Sequence, residues 1–147
     1  ARSPAIGSRR LRFQSPADLI RAVRQVASAS NLGTWQMCEA RSPARFKGGG
    51  PEKRPGLRSG HIPSSKNVYY RDLLKSDGTM KDLPALRVIF EGAGIDMAKP
   101  VVTTCGSGVT AAILSLALER LGHPMTALYD GSWSEWGQFD QLKIATG

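Results

Sequence analysis

The stretch VVTTCGSGVTAAILSLALERLG, Val101 to Gly122, decides the fold. Val101–Thr104 is a short β-branched run of the kind that forms a strand. From Val109 to Leu121 apolar residues recur at helical spacing, and Gly122 sits where a helix C-terminus places glycine. Gly106 and Gly108 let the backbone turn between the two. A strand feeding directly into a helix is half of a βαβ unit. It predicts an α/β domain with a mostly parallel central sheet and helices on both faces. Cys105 stands at the joint, where open α/β sheets bind ligands beyond the carboxyl ends of their strands.

The flanking sequence supports that architecture. In SPADLIRAVRQVAS, Ser15 is an N-cap, Pro16 takes the first helical position and Asp18 the third. Leu19, Ile20, Val23 and Val26 then recur at helical spacing, and Asn31 and Gly33 end the element. TWQMCEA reads as a short strand. Ser42 to Pro63 reads as loop, because Gly48-Gly49-Gly50-Pro51 sustains neither helix nor central strand. NVYY reads as another strand and KSDGT as a turn. Asp82 caps a helix over LPALRVIFEGAG that ends at Gly92 or Gly94. MTALY is a strand, and DGSWSEW opens a short final helix. Residues 1–14 are assigned to a basic linker or flexible leader and 15–147 to the domain. There is no internal repeat.

The 147 residues suit one domain, and 41% hydrophobic content permits a real core. No apolar run reaches the roughly 18 residues a membrane span needs. ARSPAIGSRRLRF is basic without an apolar segment, so it is not a secretory signal, and the missing initial methionine is what a mature or excised piece shows. Two cysteines, Cys38 and Cys105, fit free thiols in a reducing compartment better than a disulfide framework. The net charge is +8. Residues 1–12 hold four arginines, and Arg41 to Arg58 hold six basic residues against one acid, Glu52. A basic loop of this kind binds nucleic acid, binds a small anion or is only solvated. It carries no nucleic-acid motif, so neither nucleic acid nor membrane is an expected partner. Two histidines and two scattered cysteines lack zinc-type spacing, so no metal and no cofactor are expected.

Two readings of Cys105 follow from the residues alone. Backbone N–H groups of a Gly-x-Gly turn and a helix N-terminus form an anion cradle, which stabilises a thiolate and makes a nucleophile. Alternatively Cys105 is a small buried hydrophobe. Phosphoryl transfer by a cysteine needs an arginine six positions on to hold the phosphate, and that position is Ala111. A sulfur carried as a persulfide needs donors but no such arginine.

CGSGVTA, Cys105 to Ala111, resembles the active-site loop of the rhodanese superfamily, in the form carried by its 3-mercaptopyruvate sulfurtransferases. EARSPARF, PEKRPGLRSGHIP and YDGSWSEWG agree in order and spacing, so the resemblance runs from about Trp35 to Gly137. It implies that this chain is the second, catalytic domain of a tandem pair whose other member is an N-terminal rhodanese domain. It further implies that Cys105 takes sulfur from 3-mercaptopyruvate, releases pyruvate, and passes the sulfur to a thiol acceptor such as thioredoxin, or to cyanide, in the cytoplasm or a mitochondrion. Gly106, Ser107, Gly108, Val109 and Thr110 would cradle the persulfide. Arg45 and Arg54 match the arginines that hold the substrate carboxylate and keto oxygen, and Ser107 matches a serine proposed to relay a proton to the leaving enolate. Two alternatives stay open: a thiosulfate sulfurtransferase, whose loops carry Arg and Lys where this one has Gly106 and Ser107, and a non-catalytic interaction module. Glu39 replaces the family's usual aspartate and is expected to order the loop by pairing with a nearby arginine. Ser64 stands where glycine is common. His61 is expected to be structural, His123 to complement a helix C-terminus, and Trp133 and Trp136 to pack in a core or domain interface.

Overall fold

A computed structural model describes residues 9–10, 36–49, 52, 56–106, 109–123, 126–129 and 131–147. The helix expected from Ser15 and the roles given to Arg54, Ser107 and Gly108 lie outside the described residues.

The described strands are β1 (Arg9–Arg10), β2 (Gln36–Glu39), β3 (Lys66–Asn67), β4 (Val101–Thr104) and β5 (Thr126–Leu128). They form one sheet in the order β1-β5-β4-β2-β3, and every pair is parallel. β4 is therefore central, with Cys38 beside Thr103 and Val101 beside Thr126. Because side chains alternate along a strand, each face gets its own core. Cys38 and Val101 face one side, where Leu86 and Phe90 of α2 (Leu83–Gly92) and Leu114 and Leu118 of α3 (Ala111–Arg120) cover them. Met37, Val102 and Ala127 face the other, against Trp133 and Trp136 of α4 (Ser132–Trp136). Helices thus cover both faces, as the strand–helix alternation requires. Among the described residues, no helix is long and apolar enough to cross a membrane.

Local signals act as written in most places. Asp82 caps α2 by accepting from the Ala85 N–H at 3.1 Å. The KSDGT turn closes on Asp77, which accepts from the Thr79 N–H and hydroxyl. His123, expected to complement a helix C-terminus, donates its ring Nε2–H to the Lys99 carbonyl at 2.8 Å, outside the helix it follows. Ser64 has φ +68°, a left-handed conformation that costs a non-glycine residue about 1 kcal/mol, which is the reason glycine suits this position.

Three expectations need correction. The Ser42–Pro63 stretch is not all loop, since Pro43–Lys47 form the short helix α1. Ser42 accepts from the Arg45 N–H, proline opens the helix, and Gly48 ends it at φ +79°. With one buried apolar residue, Phe46, it has no periodicity to read. The strand assigned to NVYY is Lys66–Asn67, and Tyr70–Leu73 is a 3₁₀ turn that delivers Leu73 into the core. Arg9–Arg10, inside the stretch read as a leader, pair with β5 as an edge strand, so the sheet begins there.

Arg58 joins the loop to the C-terminal segment. Its guanidinium donates to the carbonyls of Gly137, Leu142, Trp136 and Phe139, while its own carbonyl accepts from the Trp133 indole at 2.8 Å. Trp136 is the last residue of α4, and the other three acceptors follow it. Arg58→Ala is expected to cost about 2 kcal/mol of unfolding free energy in urea, and Arg58→Lys to recover less than half of that, because an ammonium cannot span the fork. A loss below about 0.5 kcal/mol for Arg58→Ala would make these contacts incidental.

Candidate functional site

Three adjacent strands, β2, β4 and β5, end together, and the segments that leave them converge on Cys105. The Ala40 N–H donates to the Thr104 carbonyl at 2.8 Å, and the Tyr129 N–H to Thr103 at 2.9 Å. The start of α4 then reaches across: Trp133 N–H donates to the Cys105 carbonyl and Ser134 N–H to the Gly106 carbonyl, each at 2.8 Å. Ser132 accepts from the Cys105 N–H at 3.1 Å, donates to the Tyr129 carbonyl at 2.8 Å, and lies 3.8 Å from the Cys105 sulfur. It does so at φ +53°, a strained conformation for a non-glycine residue. The backbone of Cys105 is thus fixed on both sides.

Both cysteines are free and buried. Burial alone does not separate a reactive thiol from an inert one, so the surroundings decide. Burial pushes the Cys38 thiol well above its ordinary range, and the neighbouring Glu39 carboxylate adds to this. Cys38 lies within a strand under α2 and α3, as its position in QMCE suggested. Cys105 lies beyond the end of the central strand, where Gly106 starts the turn toward α3.

A cluster of paired charges borders that turn. The Arg41 Nε–H and Nη2–H donate to the two Glu39 carboxylate oxygens at 2.7 and 2.9 Å. Nη2 also reaches the Gly60 carbonyl at 2.6 Å, and Nη1 reaches Glu52 at 2.9 Å. The guanidinium lies 4.7 Å from the Trp133 ring centroid. Burial pushes the Glu39 carboxyl up, and the Arg41 hydrogen bonds and charge oppose that. The arginine expected beside Glu39 is therefore Arg41. The other Glu52 oxygen accepts from Arg45 Nη2 at 2.8 Å. A Cβ built on Gly106 would stand 3.4 Å from Arg45 Nη2 and 3.5 Å from Nη1, so the guanidinium lies against the loop where any side chain longer than a methyl would meet it. Arg45 Nε is buried and has no hydrogen-bond partner among the described residues.

The structure brings together Cys105, Gly106 and Arg45 of the expected site. Val109 and Thr110 occupy the last turn before α3, with Val109 mostly exposed. Of the loop's described basic residues, Arg41 is buried, Arg58 is bound to carbonyls and Arg45 is paired with Glu52, while Lys47 is exposed. His61 is structural, with its ring stacked on Phe46 at 3.7 Å and Nδ1–H donating to the Phe46 carbonyl. Trp133 and Trp136 are core residues. Two members of the site carried no role in the sequence reading. Glu52 was visible as the single acid in a basic stretch, whereas nothing in the sequence marked Ser132, because its role depends on a fold contact with Cys105 from 27 positions away.

The model of the rhodanese-like domain matches residues 22–139. Over 122 residues the chain is 48% identical to the 3-mercaptopyruvate sulfurtransferase of Escherichia coli K12, covering 83% of this chain and 43% of that protein. It is 40% identical over 119 residues to the thiosulfate sulfurtransferase of Rattus norvegicus, covering 80% of this chain and 40% of that protein. It superposes with a TM-score of 0.65 on the crystal structure of Escherichia coli SseA, a 3-mercaptopyruvate sulfotransferase with the rhodanese fold, at 37% identity over 90% of this chain and 44% of that one. The chain spans less than half the length of these relatives. With Cys105 at the end of the central strand of a parallel sheet, and with the match running over most of its length, this chain belongs to the rhodanese-like domain family.

Proposed function

We propose that this domain is the sulfur-carrying half of a 3-mercaptopyruvate sulfurtransferase, in the cytoplasm or a mitochondrion, working with an N-terminal rhodanese domain. The observation that carries the reading is the Arg45 guanidinium lying against Gly106, next to Cys105, with its Nε–H unanswered among the described residues. A buried unsatisfied donor is costly and calls for a ligand acceptor. A planar guanidinium at that distance suits a carboxylate that is one short carbon chain away from a reacting sulfur. The identity to a 3-mercaptopyruvate enzyme supports the same substrate.

In the first half-reaction the Cys105 thiolate attacks the mercapto sulfur. An S–S bond forms, the C–S bond breaks, and its electron pair stays on carbon as the pyruvate enolate. A proton passed through Ser107 turns the enolate into pyruvate. Arg45 and Arg54 hold the carboxylate and keto oxygen, and backbone N–H groups from Gly106 to Thr110 surround the new persulfide. In the second half-reaction an acceptor thiolate, such as that of thioredoxin, or cyanide attacks the outer sulfur and frees the Cys105 thiolate. Ser132 fixes the Cys105 backbone throughout, so the nucleophile is oriented before substrate arrives. Thiosulfate is the second donor to consider, because the rat relative at 40% identity is named for it.

Donor kinetics test this reading. With cyanide or a dithiol as acceptor, kcat/KM for 3-mercaptopyruvate should exceed that for thiosulfate. A preference for thiosulfate would instead assign the chain to the thiosulfate enzymes. Arg45→Ala should lower kcat/KM for 3-mercaptopyruvate by one to two decades, the worth of about 1.5–3 kcal/mol in a charged hydrogen bond. An unchanged value would make Arg45 an ordinary loop charge.

Gly106→Arg checks the geometry. The new side chain would enter the space held by the Arg45 guanidinium, displacing it and adding a like charge. Use of 3-mercaptopyruvate should fall at least tenfold, about 1.4 kcal/mol, while Gly106→Ala should lose much less, since its methyl would make ordinary van der Waals contact. Equal kinetics for Gly106→Arg and the parent chain would show that Arg45 does not work from this position.

A further inference from the structure

We infer that Glu52 sets the charge of donor this site accepts, holding it to monoanions. The inference rests on the sulfurtransferase reading for its substrates but not for its geometry. Glu52 spans two guanidinium groups: Oε1 accepts from Arg41 Nη1 at 2.9 Å and Oε2 from Arg45 Nη2 at 2.8 Å. Its side chain is 2% exposed, against 34% for Arg45. Arg41 needs no second carboxylate to be neutralised, since Glu39 already binds it in bidentate fashion. The extra negative charge therefore falls to Arg45, the residue that faces the loop.

Among the described residues the four charges, Glu39 and Glu52 against Arg41 and Arg45, sum to zero. Within this described cluster, an anion arriving at Arg45 meets the donors of one planar guanidinium, whose Nε–H has no partner among the described residues, rather than a net positive charge. Direction rewards a carboxylate of the right shape, whereas net field rewards charge itself. A dianion interacts with any fixed charge twice as strongly as a monoanion does. Glu52 therefore penalises thiosulfate, with two negative charges, twice as much as 3-mercaptopyruvate, with one. Glu52 is a positioning and charge-setting residue acting through Arg45, and it does not take part in the chemistry.

The test compares Glu52→Gln, which keeps the size and loses the charge, with Glu52→Asp, which keeps the charge and loses reach. Calorimetry measures binding of sulfate as the dianion probe and pyruvate as the monoanion probe, beside kcat/KM for thiosulfate and 3-mercaptopyruvate. One unit of charge beside a partly exposed site changes monoanion binding by roughly three- to tenfold and dianion binding by the square of that. In Glu52→Gln the sulfate-to-pyruvate affinity ratio should therefore rise three- to tenfold, and the rise should shrink with added salt. Glu52→Asp should weaken pyruvate binding yet leave the ratio within about twofold of the parent, since the charge persists. A ratio unchanged in Glu52→Gln, or moved equally in both variants, overturns the proposal and leaves Glu52 a brace. If Glu52→Gln does not fold, the parent chain still decides, since sulfate binding as tightly as pyruvate contradicts a charge-balanced site. A shifted binding ratio with no turnover of 3-mercaptopyruvate in the parent would sink the sulfurtransferase reading and leave this inference standing.

Discussion

The ion pair between Glu39 and Arg41 is the constraint on which the rest of the site depends. Arg41 is 3% exposed, and a guanidinium so far from water is tolerated only if its donors are answered. Glu39 answers Nε and one Nη2 hydrogen, Gly60 another, and Glu52 is bound through Nη1. The Trp133 ring covers the face of the plane. Each of those partners belongs to a different part of the chain: the end of β2, the loop, the approach to His61, and α4. Satisfying one buried cation therefore assembles four segments around the carboxyl end of β4. Removing one partner of such a pair commonly costs about 3–5 kcal/mol, because the other is left buried and unpaired.

That assembly explains how a long, glycine-rich, basic loop comes to hold a defined site. Loops of this composition are ordinarily mobile. Here Arg41 fixes the start of the loop, Arg58 ties its end to carbonyls after α4, and Glu52 is fixed in the middle by Arg41. Arg45 is then held against Gly106 from outside, while Ser132 and the N–H groups of Trp133 and Ser134 hold the Cys105 turn from the sheet side. Nucleophile and guanidinium are thus placed by two braces that meet at Trp133. A site built this way has its orientation set before substrate binds, which is where much of an enzyme's advantage arises.

The sequence makes the central strand, the cysteine turn and α3 legible because each rests on local chemistry: β-branching, glycine, and apolar spacing. The Asp82 cap is legible for the same reason. The helix at Pro43–Lys47 is not, because five residues with one buried apolar side chain leave no period, although Ser42 and Gly48 mark its ends. The NVYY run misleads because β-propensity describes side chains that suit a pleated surface, while here the backbone leaves the sheet after Asn67 to bury Leu73. Net charge also misleads when read as surface: Arg41 and Arg58 count toward a basic loop yet serve as internal connectors. Ser132 and Glu52 act across the fold, at distances that no window along the chain can span.

The central claim is that Cys105, and not Cys38, carries sulfur. Incubating the protein with 3-mercaptopyruvate, trapping the product and mapping its peptides by mass spectrometry tests it directly. One additional sulfur on the peptide containing Cys105, with the Cys38 peptide unmodified and no additional sulfur in Cys105→Ser, is the predicted result. The added sulfur on Cys38, or its persistence in Cys105→Ser, would contradict the account.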